Sequence, residues 1–304
     1  MALQLALRAL SAQKGKIITT AYSYVATSHA IIWEQYEPVF IDVDSDSYCI
    51  DVDKIEARIT DDTVAILATH VYGYPCDVDA LTDLGSKYEI TIIYDAAHAF
   101  GVRYRGASLL SYGDISAVSF HATKVYHTVE GGAVISHRKE VIEYVKLAKA
   151  FGHKGEDYSQ VGINAKNSEL HAAMGLCNLD HYRDWIAARK VRFDYYYEHL
   201  ADLPARIRHP REAEGLEYNY SYFPILFESS EAMQECHDTL RAESIYPRRY
   251  FTPSLNELPF RSNDLACPVS ERLSRQVLCL PFYPDLAFEN MDRVVAGVRK
   301  SLGA

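Results

Sequence analysis

From Lys16 onward the chain repeats one pattern: a short run of β-branched and apolar residues, then a run with helical spacing. KIITT precedes VATSHAIIWEQY, PVFIDV precedes DVDKIEARI, TVAILATH precedes VDALTDLGSKY, and EITIIYDAAHAFG follows. Such alternation predicts an α/β domain on a largely parallel sheet, because parallel neighbours need a crossover and a helix usually provides it. ISAVSF and GAVIS break the pattern, lying close together with no crossover helix between them, so the segment holding Lys124 reads as a loop between two strands. In open α/β sheets ligands sit beyond the carboxyl ends of the strands. Asp95, Ser119 and Lys124 fall there.

A long helical region is predicted from Ser168 to Leu200, followed by YSYFPILF, the EAMQECHDTLRAE helix and the closing NMDRVVAGVRKSL. The expected organisation is a large domain over 1–165, a connecting helical region over 166–200 and a small α+β domain over 201–304. Composition narrows the class. With 304 residues, 48% of them apolar and 24% charged, the chain can bury a substantial core. A net charge of −10 and a pI near 5.6, with no basic stripe, argue against nucleic acid or an anionic membrane as partner. No run approaches the length of a membrane span. MALQLALRAL has no basic leading region and carries Arg8 within it, which argues against a signal peptide. Six scattered cysteines without a CxxC pair fit a reduced, cytoplasmic protein without a zinc site.

Two residues carry the chemistry. Lys124 lies in SFHATKVYHTVEGGAVIS, and a lysine among aromatic and small residues is commonly a surface residue snorkelling over apolar neighbours. Held in an apolar pocket, it would instead have a lowered pKa and act as a nucleophile toward carbonyl carbon. Asp95 ends the strand IIYD, where an aspartate often only caps a turn. Together they match what pyridoxal phosphate (PLP) requires: a lysine to bond its aldehyde and a carboxylate to keep its pyridine nitrogen protonated.

ITTAYSYVATSHAI, PVFIDVD, IDVDKIEARIT, HVYGYPCDVDAL, DAAHAFG, GDISAVSFHATK, EGGAV and NAKNSELHAAMGL together resemble the DegT/DnrJ/EryC1/StrS family of sugar aminotransferases, which have the aspartate-aminotransferase fold of PLP fold type I. The resemblance covers nearly the whole chain and is most specific from Ile17 to Leu179. It implies a large, mostly parallel sheet domain with a small C-terminal domain, PLP as cofactor, and a ping-pong transfer of an amino group, from glutamate, to a keto-sugar nucleotide. The SFHATK form is more similar to members that aminate a 4-keto-6-deoxyhexose, for amino-sugar and surface-polysaccharide synthesis, than to 3-amino members. Residue by residue, the resemblance makes Lys124 the cofactor-bonding lysine and proton shuttle, and Asp95 the partner of the pyridinium nitrogen. It places His98 beside the ring oxygen, Tyr24 over one ring face and Ala97 against the other, and makes Ser119 a phosphate ligand. Asn164 matches a residue that reaches the phosphate of a neighbouring subunit, which implies a homodimer with shared sites.

Bland readings stand beside these: packing for Tyr24, since the chain has 23 tyrosines, and a helix-terminal turn for Asn164. In YPRRYFTPSL, Arg248 and Arg249 read either as a solvated patch or as guanidinium forks for a nucleotide diphosphate. Two other functions remain open: a sugar dehydratase on the same scaffold, whose members replace the lysine by histidine, and a non-catalytic homologue. The resemblance also implies a Ser/Asn-Gly-Thr segment ahead of the helix ALQLALRAL, where this sequence has Met1. A chain starting there is expected to be either a fragment of an active protein or a short homologue with a weak hold on the cofactor phosphate.

Overall fold

The computed structural model describes residues 1–10, 14–260 and 265–304. α1 (Ala2–Arg8) leads to β1 (Lys16–Thr20), then α2 (Ala26–Trp33), β2 (Glu37–Ile41), β3 (Thr63–Thr69), α3 (Val78–Tyr88) and β4 (Thr91–Asp95). A small hairpin, β5 (Arg103–Tyr104) and β6 (Ala107–Ser108), precedes β7 (Ile115–Ser119) and β8 (Gly132–Ser136). The main sheet has the order β2-β1-β3-β4-β7-β8, parallel throughout except for β8, which runs antiparallel to β7.

Alternate residues of these strands enter two different cores, which is why the strands read as continuous apolar runs. Ile18, Ile66, Ile92 and Tyr94 face one side with Val78 and Leu81 of α3. Ile17, Leu67, Ile93 and Ile115 face the other, against Leu7 of α1, Ile31 of α2 and Val141 of α4 (Lys139–Ala148). DVDKIEARI, expected as a crossover helix, forms only two 3-10 turns, Val52–Lys54 and Glu56–Arg58. Ile55 between them is the one fully buried side chain there, too little apolar surface to hold a longer helix against the sheet.

Beyond α4 come the hairpin β9 (His153–Lys154) and β10 (Asp157–Tyr158), then α5 (Glu169–Leu179) and α6 (Tyr182–Leu200). The single helical region expected from 168 to 200 is therefore two helices, broken at Asp180–His181. The remainder comprises β11 (Ala205–Arg206), β12 (Leu216–Glu217), β13 (Pro224–Phe227), α7 (Ser230–Ala242), α8 (Pro268–Gln276), β14 (Val277–Cys279) and α9 (Phe288–Ser301). β13 lies between β11 and β14, covered by α7 and α9. Phe193 and Tyr196 of α6 pack into this second core with Ile225, Leu240 and Val298, so α6 belongs to the small layer as much as it connects to it. Residues 216–222 cross back: β12 pairs with β5, and Tyr218 is buried in the first core. That return brings Tyr222 to the carboxyl edge of the main sheet.

Candidate active site

β3, β4 and β7 end side by side, and their C-terminal residues Thr69, Asp95 and Ser119 line one cavity of about 760 Å³. The turn after β1 adds Ser23 and Tyr24, the loop after β7 adds Lys124, and the returning segment adds Tyr222. Here polar residues meet at the place where the apolar strand runs stop.

Asp95 is 4% exposed. Burial pushes its carboxyl pKa up, and three effects pull it back: a hydrogen bond from Thr27 Oγ1 to Oδ2 at 2.7 Å, one from the Ala97 N–H to Oδ1 at 3.2 Å, and the charge of Lys124. The corresponding support for Lys124 is meagre. Burial lowers its pKa to about 8, opposed by the charge of Asp95, and its Nζ donates to Tyr222 Oη at 3.4 Å. The Tyr222 phenol is itself pushed far up by burial, so it stays neutral beside the amine.

His98 is buried, and desolvation followed by the nearby Lys124 charge drives its pKa well down. The Tyr72 N–H donates to His98 Nδ1 at 3.1 Å, so the neutral ring carries its proton on Nε2. Its plane is held against Phe251, with centroids 5.7 Å apart and 9° between planes. Tyr22 and Tyr72 both donate to the Tyr250 carbonyl, tying the same aromatic wall to the first core.

The other expected site residues divide. Ala97 lines the cavity; Ser119 does too, accepting from the His121 N–H at 3.4 Å. Tyr24 stands at the rim, 56% exposed. Asn164 does not line the cavity of its own chain; it is exposed and accepts from Lys166 Nζ at 2.8 Å. The arginine pair splits, because Arg248 bridges Cys279 in β-fashion and neighbours in extended chain point to opposite sides. Arg248 donates to Tyr250 Oη at 2.6 Å and borders both the main cavity and an adjoining one of about 490 Å³. Arg249 instead lines a separate recess beside Ser230 and Glu231 at the start of α7, outside both cavities. Its expected place with Arg248 at the substrate site is thus not where the backbone directs it.

Sequence reasoning missed Thr27, Ser23 and Tyr222. The hydroxyls in YSYVATS were a readable signal for the first two, since buried hydroxyls need partners. Nothing local distinguishes Tyr222 from the other tyrosines.

The DegT/DnrJ/EryC1/StrS aminotransferase family matches residues 1–299. A dTDP-4-amino-4,6-dideoxy-D-glucose transaminase from Shigella dysenteriae is 38% identical over 293 residues, covering 94% of this chain and 80% of that protein. A GDP-perosamine synthase from Escherichia coli O157:H7 is 30% identical over 296 residues, covering 96% and 80%. Among solved structures, DesI in the presence of its TDP-sugar product superposes with a TM-score of 0.91 at 33% identity, covering 98% of this chain and 77% of that one. With the sheet order, the strand-end aspartate and the loop lysine in place, the chain belongs to the DegT/DnrJ/EryC1/StrS aminotransferase family.

Proposed function

We propose that this protein is a PLP-dependent aminotransferase that moves an amino group from glutamate to a 4-keto-6-deoxyhexose carried on a nucleotide. One observation carries the reading: Asp95, buried and hydrogen-bonded, shares a cavity with Lys124, whose burial favours the free amine. These residues fit PLP. Asp95 would hold the pyridinium nitrogen, His98 Nε2–H would donate to the ring oxygen, Tyr24 and Ala97 would flank the ring, and Ser119 would meet the phosphate. When bound, PLP supplies an aldehyde that takes up an amine and a ring that accepts an electron pair.

The chain's own residues do the rest. At pH 7 a lysine with a pKa near 8 is unprotonated about one time in ten, against roughly one in several thousand for an ordinary lysine. With the cofactor in place, Lys124 Nζ would be the base that takes the proton from the donor's α carbon and, in the second half-reaction, the acid that delivers a proton to the sugar carbon. Tyr222 Oη restrains that amine without adding charge. The aromatic wall of Tyr72, His98 and Phe251 keeps water from one side of the cavity. Arg248, at the junction of the two cavities, is placed to pair with the diphosphate of the acceptor.

A homodimer fits the surface. α5 exposes Leu170 at 84% and Leu176 at 69%, and Val161, three residues before Asn164, is 80% exposed. A second copy covering these apolar residues would place Asn164 at the interface. Among the described residues no helix is long and apolar enough to cross a membrane, and a cytoplasmic location suits nucleotide-sugar chemistry.

The test is a screen of the PLP-supplemented protein with glutamate and several 4-keto and 3-keto sugar nucleotides, read by product mass. Conversion of a 4-keto acceptor to the amine is the expected result. Amination of 3-keto acceptors alone would overturn the sugar class, and no amination of any acceptor would overturn the function.

A further inference from the structure

Asp95 Oδ2 is the end of a line of buried hydroxyls. Thr27 Oγ1 lies 2.7 Å from Oδ2, Ser23 Oγ lies 2.8 Å from Thr27 Oγ1, and Thr69 Oγ1 lies 3.1 Å from Ser23 Oγ. All three side chains are 2% exposed or less. They come from three elements: the turn after β1, the start of α2, and the last residue of β3.

A hydroxyl has one proton, and this fixes the sense of the whole line. A carboxylate only accepts, so Thr27 gives its proton to Asp95. Ser23 must then donate to Thr27, and Thr69 to Ser23. Three donors in series all point toward the same carboxylate oxygen, each polarising the next. Ionisable groups near Asp95 include Lys124 across the cavity, His98 along the same wall, and His70, whose backbone N–H donates to the Asp95 carbonyl; the Met1 amine, His29, His121, Glu130 and Arg248 line the same cavity. Among the described residues, none of them hydrogen-bonds the carboxylate itself. That leaves Thr27 on Oδ2 and the Ala97 N–H on Oδ1, with the remaining lone pairs available to a ligand in the cavity.

We propose that Thr69, Ser23 and Thr27 are positioning residues acting as one hydroxyl relay, which keeps Asp95 an oriented carboxylate at a depth where it would otherwise take up a proton. The identity of the ligand that Asp95 receives rests on the PLP reading above; the relay does not. A backbone N–H alone would leave Oδ2 without a donor, and an unsolvated oxygen lacking a donor favours the neutral acid, which cannot hold a cationic ring nitrogen.

The experiment uses the full chain labelled with carboxyl-13C aspartate, with the Asp95 signal assigned by its loss in Asp95→Asn. In cofactor-free protein, Thr27→Val, which keeps the shape and removes the hydroxyl, is expected to titrate Asp95 at higher pH than wild type. Thr27→Ser is expected to return it. Ser23→Ala, one step further back, is expected to give a smaller shift in the same direction, and it decides the matter if Thr27→Val does not fold by circular dichroism. With PLP, equilibrium dialysis is expected to show about tenfold weaker binding for Thr27→Val, the size of one charged hydrogen bond. An Asp95 titration unchanged in both Thr27→Val and Ser23→Ala would overturn the relay. Failure of wild type to bind PLP would overturn the functional reading while leaving the titration result to stand.

Discussion

The end of β4 and the loop after β7 each commit one ionisable group to the same cavity, and the protein treats the two differently. Asp95 is buried among donors: a hydroxyl, a backbone N–H and, across the space, a cation. Lys124 is half-buried beside a single neutral phenol at 3.4 Å. Burial pushes both groups toward their neutral forms, but donors oppose it for the carboxylate, whereas little besides Asp95 opposes it for the amine. The number of directed hydrogen bonds, more than depth, decides how strongly each group holds its charge against burial. For aminotransfer that division is the useful one, an enduring anion facing an amine that can be a nucleophile and a proton carrier.

The largest effect is expected from removing the amine. Lys124→Ala should reduce turnover to background, and borohydride reduction of the PLP-treated protein should no longer fix the cofactor to the peptide containing residue 124; turnover near that of wild type would break the contrast at its first term. Asp95→Asn tests the other term. It keeps the shape and removes the charge, and a loss of roughly 10²–10³-fold in kcat, with the fold intact by circular dichroism, is the expected cost of one preorganised electrostatic contact.

A third measurement sharpens the comparison without catalysis. The folded pKa of Lys124, about 8, lies below its ordinary value of 10.5, so between those pH values the unfolded chain binds a proton that the folded chain does not. Stability from this site therefore rises with pH through that window, and below pH 8 the protein carries the full cost of burying the cation. Lys124→Met should raise the Tm at pH 7, with the gain shrinking as pH approaches 10.5; a gain independent of pH would mean the amine is not desolvated. The smallest effects belong to the arginines. Arg248→Ala should raise the KM for the sugar nucleotide about tenfold with kcat little changed, while Arg249→Ala should stay within about twofold. Equal effects would mean that their opposite orientations are not kept in solution.

Much of the main domain was legible. β1 to β4, β7 and β8 fall where apolar runs of strand length occur, and Asp95 and Lys124 were marked by the points at which those runs end. Legibility failed where the signal was not local. DVDKIEARI carries helix-forming residues, yet only Ile55 is fully buried, with Val52 and Ile59 partly so, and tertiary packing did not extend the turns. The break between α5 and α6 at Asp180–His181 lacks a glycine or proline to announce it.

By itself the sequence determined the α/β alternation, the family, and the pairing of a strand-end carboxylate with a loop lysine, because periodicity, strand ends and ordered motifs are properties of neighbours along the chain. The tertiary structure alone decided which arginine of the pair turns toward the cavity, that Thr27 meets Asp95 across 68 residues of sequence, and that Tyr222 reaches Lys124 across 98. Those contacts depend on the sheet order, which sets β1, β3, β4 and β7 side by side, and on the return of β12 to β5. No window of sequence encodes such an order, since the same strand and helix runs are compatible with several arrangements until their buried faces and hydroxyls find partners.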